Sequence, residues 1–161
     1  MPKTPQFLPP ILSLNGTWGQ ALNVLYHIFE SDFKRHASNH GGIQVTFDRR
    51  ILPDGDGKEE GFWHVISKVD YQTGERLPDF ARAKRLPWAR PMMESPARTE
   101  IKVFDYDHGS TAKGIRRYIW LEDYDYVLVL IKRISYFWLT AFFVTKGKKR
   151  DLTKRFNNRV T

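Results

Sequence analysis

All nine prolines of this 161-residue chain lie at or before Pro96, and their spacing limits the available folds more than any other feature. Proline lacks the backbone donor that a helix interior or a central strand needs, and its ring clashes with the preceding helical turn. Pro78, Pro87, Pro91 and Pro96 therefore forbid a long helix or a central strand within residues 70–98. That stretch also carries Leu77, Phe80, Leu86, Trp88, Met92 and Met93, which makes it a structured connection and not a linker between domains. Pro5, Pro9 and Pro10 mark an extended lead-in over residues 1–14.

The proline-free remainder carries most of the sheet. Residues 100–106, 116–121, 124–132 and 135–144 read as strands, the last two joined by a tight turn near Arg133. The run Tyr126-Val127-Leu128-Val129-Leu130-Ile131 is apolar at every position, as in a central strand covered on both faces. Strict alternation in the last strand puts Tyr136, Trp138, Thr140 and Phe142 on one face and Phe137, Leu139, Ala141 and Phe143 on the other. Upstream, Trp18, Leu22, Leu25, Phe29 and Phe33 recur at helical spacing. They predict a helix over residues 17–37, started by Asn15 or Thr17 and stopped by Asn39 and Gly41-Gly42. A short strand at 43–47, an exposed turn at 53–57 and a further strand at 61–69 (GFWHVISKV) follow. The expected architecture is α+β, an N-terminal helix packed on an antiparallel sheet. A content of 41% hydrophobic residues suits one sizeable core, hence a single domain over 1–161 with its core at 15–145 and a basic C-terminal tail at 146–161.

Charge narrows the function classes. Residues 76–90 carry +4 and residues 146–161 carry +6 of a total of +8, leaving the rest of the chain at −2. Such local excess is the footprint of a polyanion-binding surface, although a basic tail also serves solubility alone. No apolar run approaches the roughly 20 residues of a bilayer span, and the N-terminus lacks a signal peptide's hydrophobic stretch, so a cytoplasmic location and no membrane partner are expected. The absence of cysteine excludes disulfides, cysteine-based zinc sites and thiol nucleophiles.

Candidate chemistry centres on His64, which sits beside Trp63 and passes protons near neutral pH; the plain alternative is a half-buried histidine bonded to a carbonyl. Arg76, Arg82, Lys84, Arg85 and Arg90 offer phosphate contacts through planar guanidinium forks, or else form a solvated basic loop. Trp88 offers a stacking face for a base, or an anchor for the loop. Thr140, polar among apolar residues, offers a hydroxyl to a phosphate, or is simply a good strand former. Lys148, Lys149 and Arg150 in the tail would improve capture of the substrate. Two metal patterns are present. Pro78-Asp79 followed by Glu100-Ile101-Lys102 has the spacing of the PD-(D/E)xK magnesium nucleases, and His36 with His40 could clasp a metal from a helix end. No cofactor-binding glycine loop is present, and no cofactor or metal is expected.

Four fragments in order, FWHVI from Phe62, RLPDFARAKR from Arg76, LPWARP from Leu86 and YFWLTAF from Tyr136, resemble the phage and mobile-element branch of the Barnase-EndoU-Colicin-RelE (BECR) superfamily of metal-independent ribonucleases. The resemblance spans about residues 60–145. It implies a BECR-like α+β fold and RNA cleavage by the substrate's 2′-hydroxyl to a 2′,3′-cyclic phosphate. His64 would act as general base or acid, Arg82 and Arg85 as catalytic cations, and Thr140 as a phosphate contact. The implied role is a toxin or a phage defence or counter-defence factor, with RNA as partner, DNA as the other polyanion the charge would accept, and a protein inhibitor or antitoxin. The residues leave two other readings open: a non-catalytic nucleic-acid-binding module, and the magnesium nuclease built on Asp79, Glu100 and Lys102. No second histidine or acid is evident in the sequence to complete a proton-transfer pair with His64.

Overall fold

The structure, a computed structural model, describes residues 4–161 except Thr111, so the first three residues of the expected lead-in lie outside the described residues. Helix α1 (Trp18–Phe29) begins at a capping box in which the Thr17 hydroxyl accepts from Gln20 N at 3.2 Å while Thr17 N donates to Gln20 Oε1 at 2.9 Å. A π-helical turn (Glu30–Lys34) extends it close to the predicted end. Leu25, Phe29 and Phe33 form its buried stripe, with Phe29 against Phe47 and Phe33 against Trp138, so this helix packs on the sheet as its periodicity demands.

The sheet has six strands. They are β1 (Ser38–His40), β2 (Ile43–Phe47), β5 (Lys102–Asp107), β6 (Ile115–Leu121), β7 (Tyr126–Lys132) and β8 (Tyr136–Phe143), in the order β1-β2-β8-β7-β6-β5. Every pairing is antiparallel except β2 with β8. The small strands β3 (Ser67–Val69) and β4 (Arg76–Pro78) pair separately. β7 is central and buried on both faces: Leu128 and Leu130 enter the core beneath the helices, while Val127 and Val129 enter a second core on the opposite face. Among the described residues no helix is long and apolar enough to cross a membrane.

Three expectations change. Residues 61–69 are not one strand. Residues Glu60–Ile66 form helix α2, and only Ser67–Val69 is extended. Phe62, Val65 and Ile66 satisfy helical spacing as well as an apolar run does, and all three are fully buried. Gly61 allows the helix to approach β2: a Cβ there would lie 3.0 Å from Phe47 Cβ and 3.1 Å from Asp48 N. The segment at 146–161 is not a bare tail. Residues Lys146–Asn157 form helix α5, capped by Thr145 and docked on the second core through Leu152 and Phe156. In β8 the alternation breaks, because Trp138 pairs with Leu130 and Thr140 with Val129, leaving Leu139 without a partner. Trp138 and Ala141 consequently belong to one core, and Leu139 and Phe142 to the other.

The proline-rich middle is short-element structure, as predicted: β4, helix α3 (Phe80–Ala83), a 3₁₀ turn (Leu86–Trp88) and helix α4 (Ala89–Glu94). Pro87 sits in the first turn of the 3₁₀ segment, where no helical donor is needed.

Candidate active site

The identity of α2 as a helix creates the site. Glu60 and His64 stand one turn apart on the same face, with Glu60 Oε2 3.3 Å from His64 Nε2. Glu60 is only 9% exposed. Burial holds the His64 imidazole below its ordinary value, and Arg76 adds to this; Glu60 and Asp48 oppose it, while Arg50 acts with Arg76. His64 is therefore a neutral proton acceptor near pH ~7, with a carboxylate in place to stabilise the cation it becomes. Sequence reasoning missed Glu60. The signal was present as Glu-x-x-x-His, but only a helix brings its two ends together.

Carbonyls at a helix end need partners from outside the helix, and for His64 O in α2 Arg82 supplies one. Its Nη1 donates to His64 O at 2.8 Å, to Ser67 O at 2.9 Å and to Thr140 Oγ1 at 3.3 Å. The Thr140 hydroxyl donates to the same His64 carbonyl at 3.1 Å. Asp79 caps α3 through Arg82 N and faces Arg82 Nε at 3.4 Å. Arg82 and Thr140 thus fix the end of α2 to β8. With its proton already donated to a carbonyl, the Thr140 hydroxyl does not reach out as the expected phosphate donor.

A cleft of about 430 Å³ opens beside this clamp, lined by His64, Lys68, Arg76, Arg82, Thr140 and Lys148 among others. Lys148 comes from the first turn of α5 and extends over the Phe142 ring at 4.5 Å. Desolvation, then the neighbouring Arg82, holds its ammonium below the ordinary lysine value. Arg76 and Ser67 also line a smaller hollow of about 240 Å³ between Trp18 and Trp63, which Glu60 enters. The structure therefore unites His64, Arg76, Arg82, Thr140 and Lys148 from the residues singled out in the sequence.

The other candidates lie elsewhere. Trp88 is fully buried, its Nε1 donating to Pro9 O at 2.8 Å, so it anchors the lead-in and offers no face to a base. Arg90 pairs with Glu94 and donates to the carbonyls of Asp32, His36 and Ala37, closing the end of the π-helical turn. Arg85 and Lys84 line a separate cleft. Lys149 and Arg150 share α5 with Lys148 without lining the His64 cleft. His40 is buried with Nδ1 2.8 Å from Met93 O, which fixes it in the core apart from any metal role with His36. Asp79, Glu100 and Lys102 are held in three different ion pairs, with Arg82, Arg98 and Glu122 respectively. Among the described residues no three His, Asp or Glu side chains are grouped as metal ligands.

Fold and site together define a mixed α+β protein with a carboxylate–imidazole pair at the rim of a basic cleft. No protein-family model, no curated protein and no solved structure matches the chain.

Proposed function

We propose that the protein is a metal-independent endoribonuclease with a BECR-like fold, acting through the Glu60–His64 pair. The observation that carries this reading is that pair, 3.3 Å apart, beside a cleft that gathers Lys68, Arg76, Arg82 and Lys148. In this reading neutral His64 takes the proton of the substrate's 2′-hydroxyl. The 2′-oxygen forms a new bond to phosphorus, the bond to the 5′-oxygen breaks, and the proton passes to that leaving oxygen. The products are a 2′,3′-cyclic phosphate and a 5′-hydroxyl. Glu60 stabilises the transient imidazolium, while Arg76, Arg82 and Lys148 offset the charge that accumulates on the phosphoryl oxygens. Arg82 retains an Nη2 free of hydrogen bonds to the described residues. The first turn of α5 adds support, since it carries lysines and no acid, the reverse of what the helix dipole favours unless an anion is near. The role that accompanies this reading is a cytoplasmic toxin or a phage defence or counter-defence factor, held in check by a protein inhibitor.

A non-catalytic nucleic-acid-binding module is the second reading, favoured by one observation: Arg82 Nη1 and the Thr140 hydroxyl make only internal contacts. One experiment separates the two. Purified protein is incubated with total RNA and with DNA, each with and without excess EDTA, alongside His64→Ala. The ribonuclease reading expects RNA cleavage that survives chelation, cyclic-phosphate ends, and loss of about 10²-fold or more in the variant. Salt-sensitive binding without product supports the module, and cleavage abolished by EDTA restores the magnesium reading.

A further inference from the structure

Arg82 and Arg85 are the two buried arginines, 8% and 9% exposed, and they are balanced very differently. Arg82 faces the Asp79 carboxylate and three oxygen acceptors. Arg85 donates from Nη1 to Ala81 O at 2.7 Å and lies 4.7 Å from the Phe143 ring centroid and 5.5 Å from that of Trp88. Its Nε, like that of Arg82, is buried without a hydrogen-bond partner, but here, among the described residues, no carboxylate faces it. Among the described residues no carboxylate lies within ion-pair distance of its guanidinium. The fully buried Tyr126 hydroxyl, on which both arginines act electrostatically, is also without a partner. A carbonyl and two ring faces compensate a buried cation only in part.

Arg85 lines a cleft of about 690 Å³, formed where residues 10–15 cross α3 and the end of β8. Lys84 stands in the same lining, Ser13 and Asn15 add polar groups, and among the described residues no acidic one takes part. The cleft is therefore doubly positive, with apolar walls from Ile11, Leu12, Leu14 and Phe143. We infer that it is a second anion site, separate from the His64 cleft, which takes the phosphate group of a nucleotide on Arg85 and Lys84. Arginine's planar fork matches phosphate oxygens, and Arg85 Nε is a donor that the described residues leave without a partner. The size lies within the range of small-molecule sites and exceeds what a bare ion fills, and the apolar walls suit the sugar and base that follow.

Two sources share this chemistry. One is a free nucleotide. The other is a flanking nucleotide of a strand lying in the His64 cleft: Phe143 and Thr140 are three residues apart on β8, about 10 Å along the strand. Only this second source rests on the ribonuclease reading.

The test follows the Arg85 Nε–H resonance by nitrogen-15 NMR while inorganic phosphate, adenosine 5′-monophosphate and an uncleavable tetradeoxynucleotide are added in turn. The expected result is a saturable shift, tighter for the nucleotide than for phosphate, and weakened more than about ten-fold by Lys84→Glu. Lys84→Gln gives a smaller loss in the same direction and keeps the test open if charge reversal disturbs folding. Monophosphate binding as tight as the tetranucleotide's supports the site and assigns it to free nucleotide; saturation by the tetranucleotide alone supports it and assigns it to the strand. Absence of a saturable shift with all three ligands, or affinity untouched by both Lys84 variants, overturns the inference. None of these ligands is cleaved, so a failure of ribonuclease activity leaves the result intact.

Discussion

Thr140→Val separates a hydroxyl that holds the site from one that works in it. The substitution keeps the side chain's shape and removes the bond to His64 O at 3.1 Å and the acceptor for Arg82 Nη1 at 3.3 Å. The second loss is small, because the same nitrogen keeps closer acceptors in His64 O and Ser67 O. The first is a neutral hydrogen bond worth about 1 kcal/mol net. For a chain of this size that lowers Tm by about 2–4 °C, readable by thermal or urea unfolding monitored through tryptophan fluorescence. Arg82 still holds the end of α2, so kcat/KM on RNA falls by less than about ten-fold, whereas loss of a direct transition-state donor costs about 10²–10³-fold. Thr140→Ser, which restores the hydroxyl, recovers both quantities. An unchanged Tm together with a hundred-fold loss of rate would refute this reasoning and return Thr140 to the phosphate.

Four further predictions concern packing, protons and salt. Gly61→Ala destabilises, because overpacking against Phe47 Cβ and Asp48 N costs about 1–3 kcal/mol and outweighs the up to about 1 kcal/mol that alanine adds to a helix; an unchanged unfolding midpoint contradicts this. The folded-state values of His40, His64 and His108 all lie below 6.5 through burial, so the unfolded chain binds more protons in that window. The histidines' contribution to stability is then fully present above about pH 6.5 and is lost as pH falls below it, measured by urea titration. In the pH profile of kcat/KM, the acid limb set by His64 moves lower in Glu60→Gln and higher in Arg76→Ala, since those two groups push the imidazole in opposite directions. Arg76→Ala and Lys148→Ala each reduce the salt slope of RNA binding by about 1, the signature of one phosphate contact apiece; a slope unchanged in both removes them from the interface.

The sheet was legible because its signals were long. β7 announces itself through six consecutive apolar residues, and the proline gap after Pro96 leaves room for a meander of strands. α2 was not legible, because a seven-residue helix with Phe62, Val65 and Ile66 inside it carries the same apolar density as a short buried strand. That ambiguity decided the site. Residues 60 and 64 share a face in either conformation, but in a strand they stand about 13 Å apart and in a helix about 6 Å. Only the helix brings Glu60 to His64. The arginines from 82 to 90 were legible as a charge total and not as directions. Arg82 turns to the His64 carbonyl, Arg85 to Phe143 and Arg90 to the end of the π-helical turn, because α3, the 3₁₀ turn and α4 each change the course of the chain.

The same geometry explains how a basic C-terminal segment reaches a cleft formed largely by elements on the opposite face of the sheet. As a loose tail, its seven cations would surround the molecule without aim. As α5, anchored by Leu152 and by Phe156 edge-on to Phe104, it fixes one lysine over Phe142, where β8 has slipped by one residue at Leu139. That slip assigns Leu139 and Phe142 to the core that carries α5, while Thr140 beside them bonds to α2 on the other side. β8 is therefore the hinge of the arrangement. An irregularity of one residue lets cations from the middle of the chain and from its end meet beside a single imidazole.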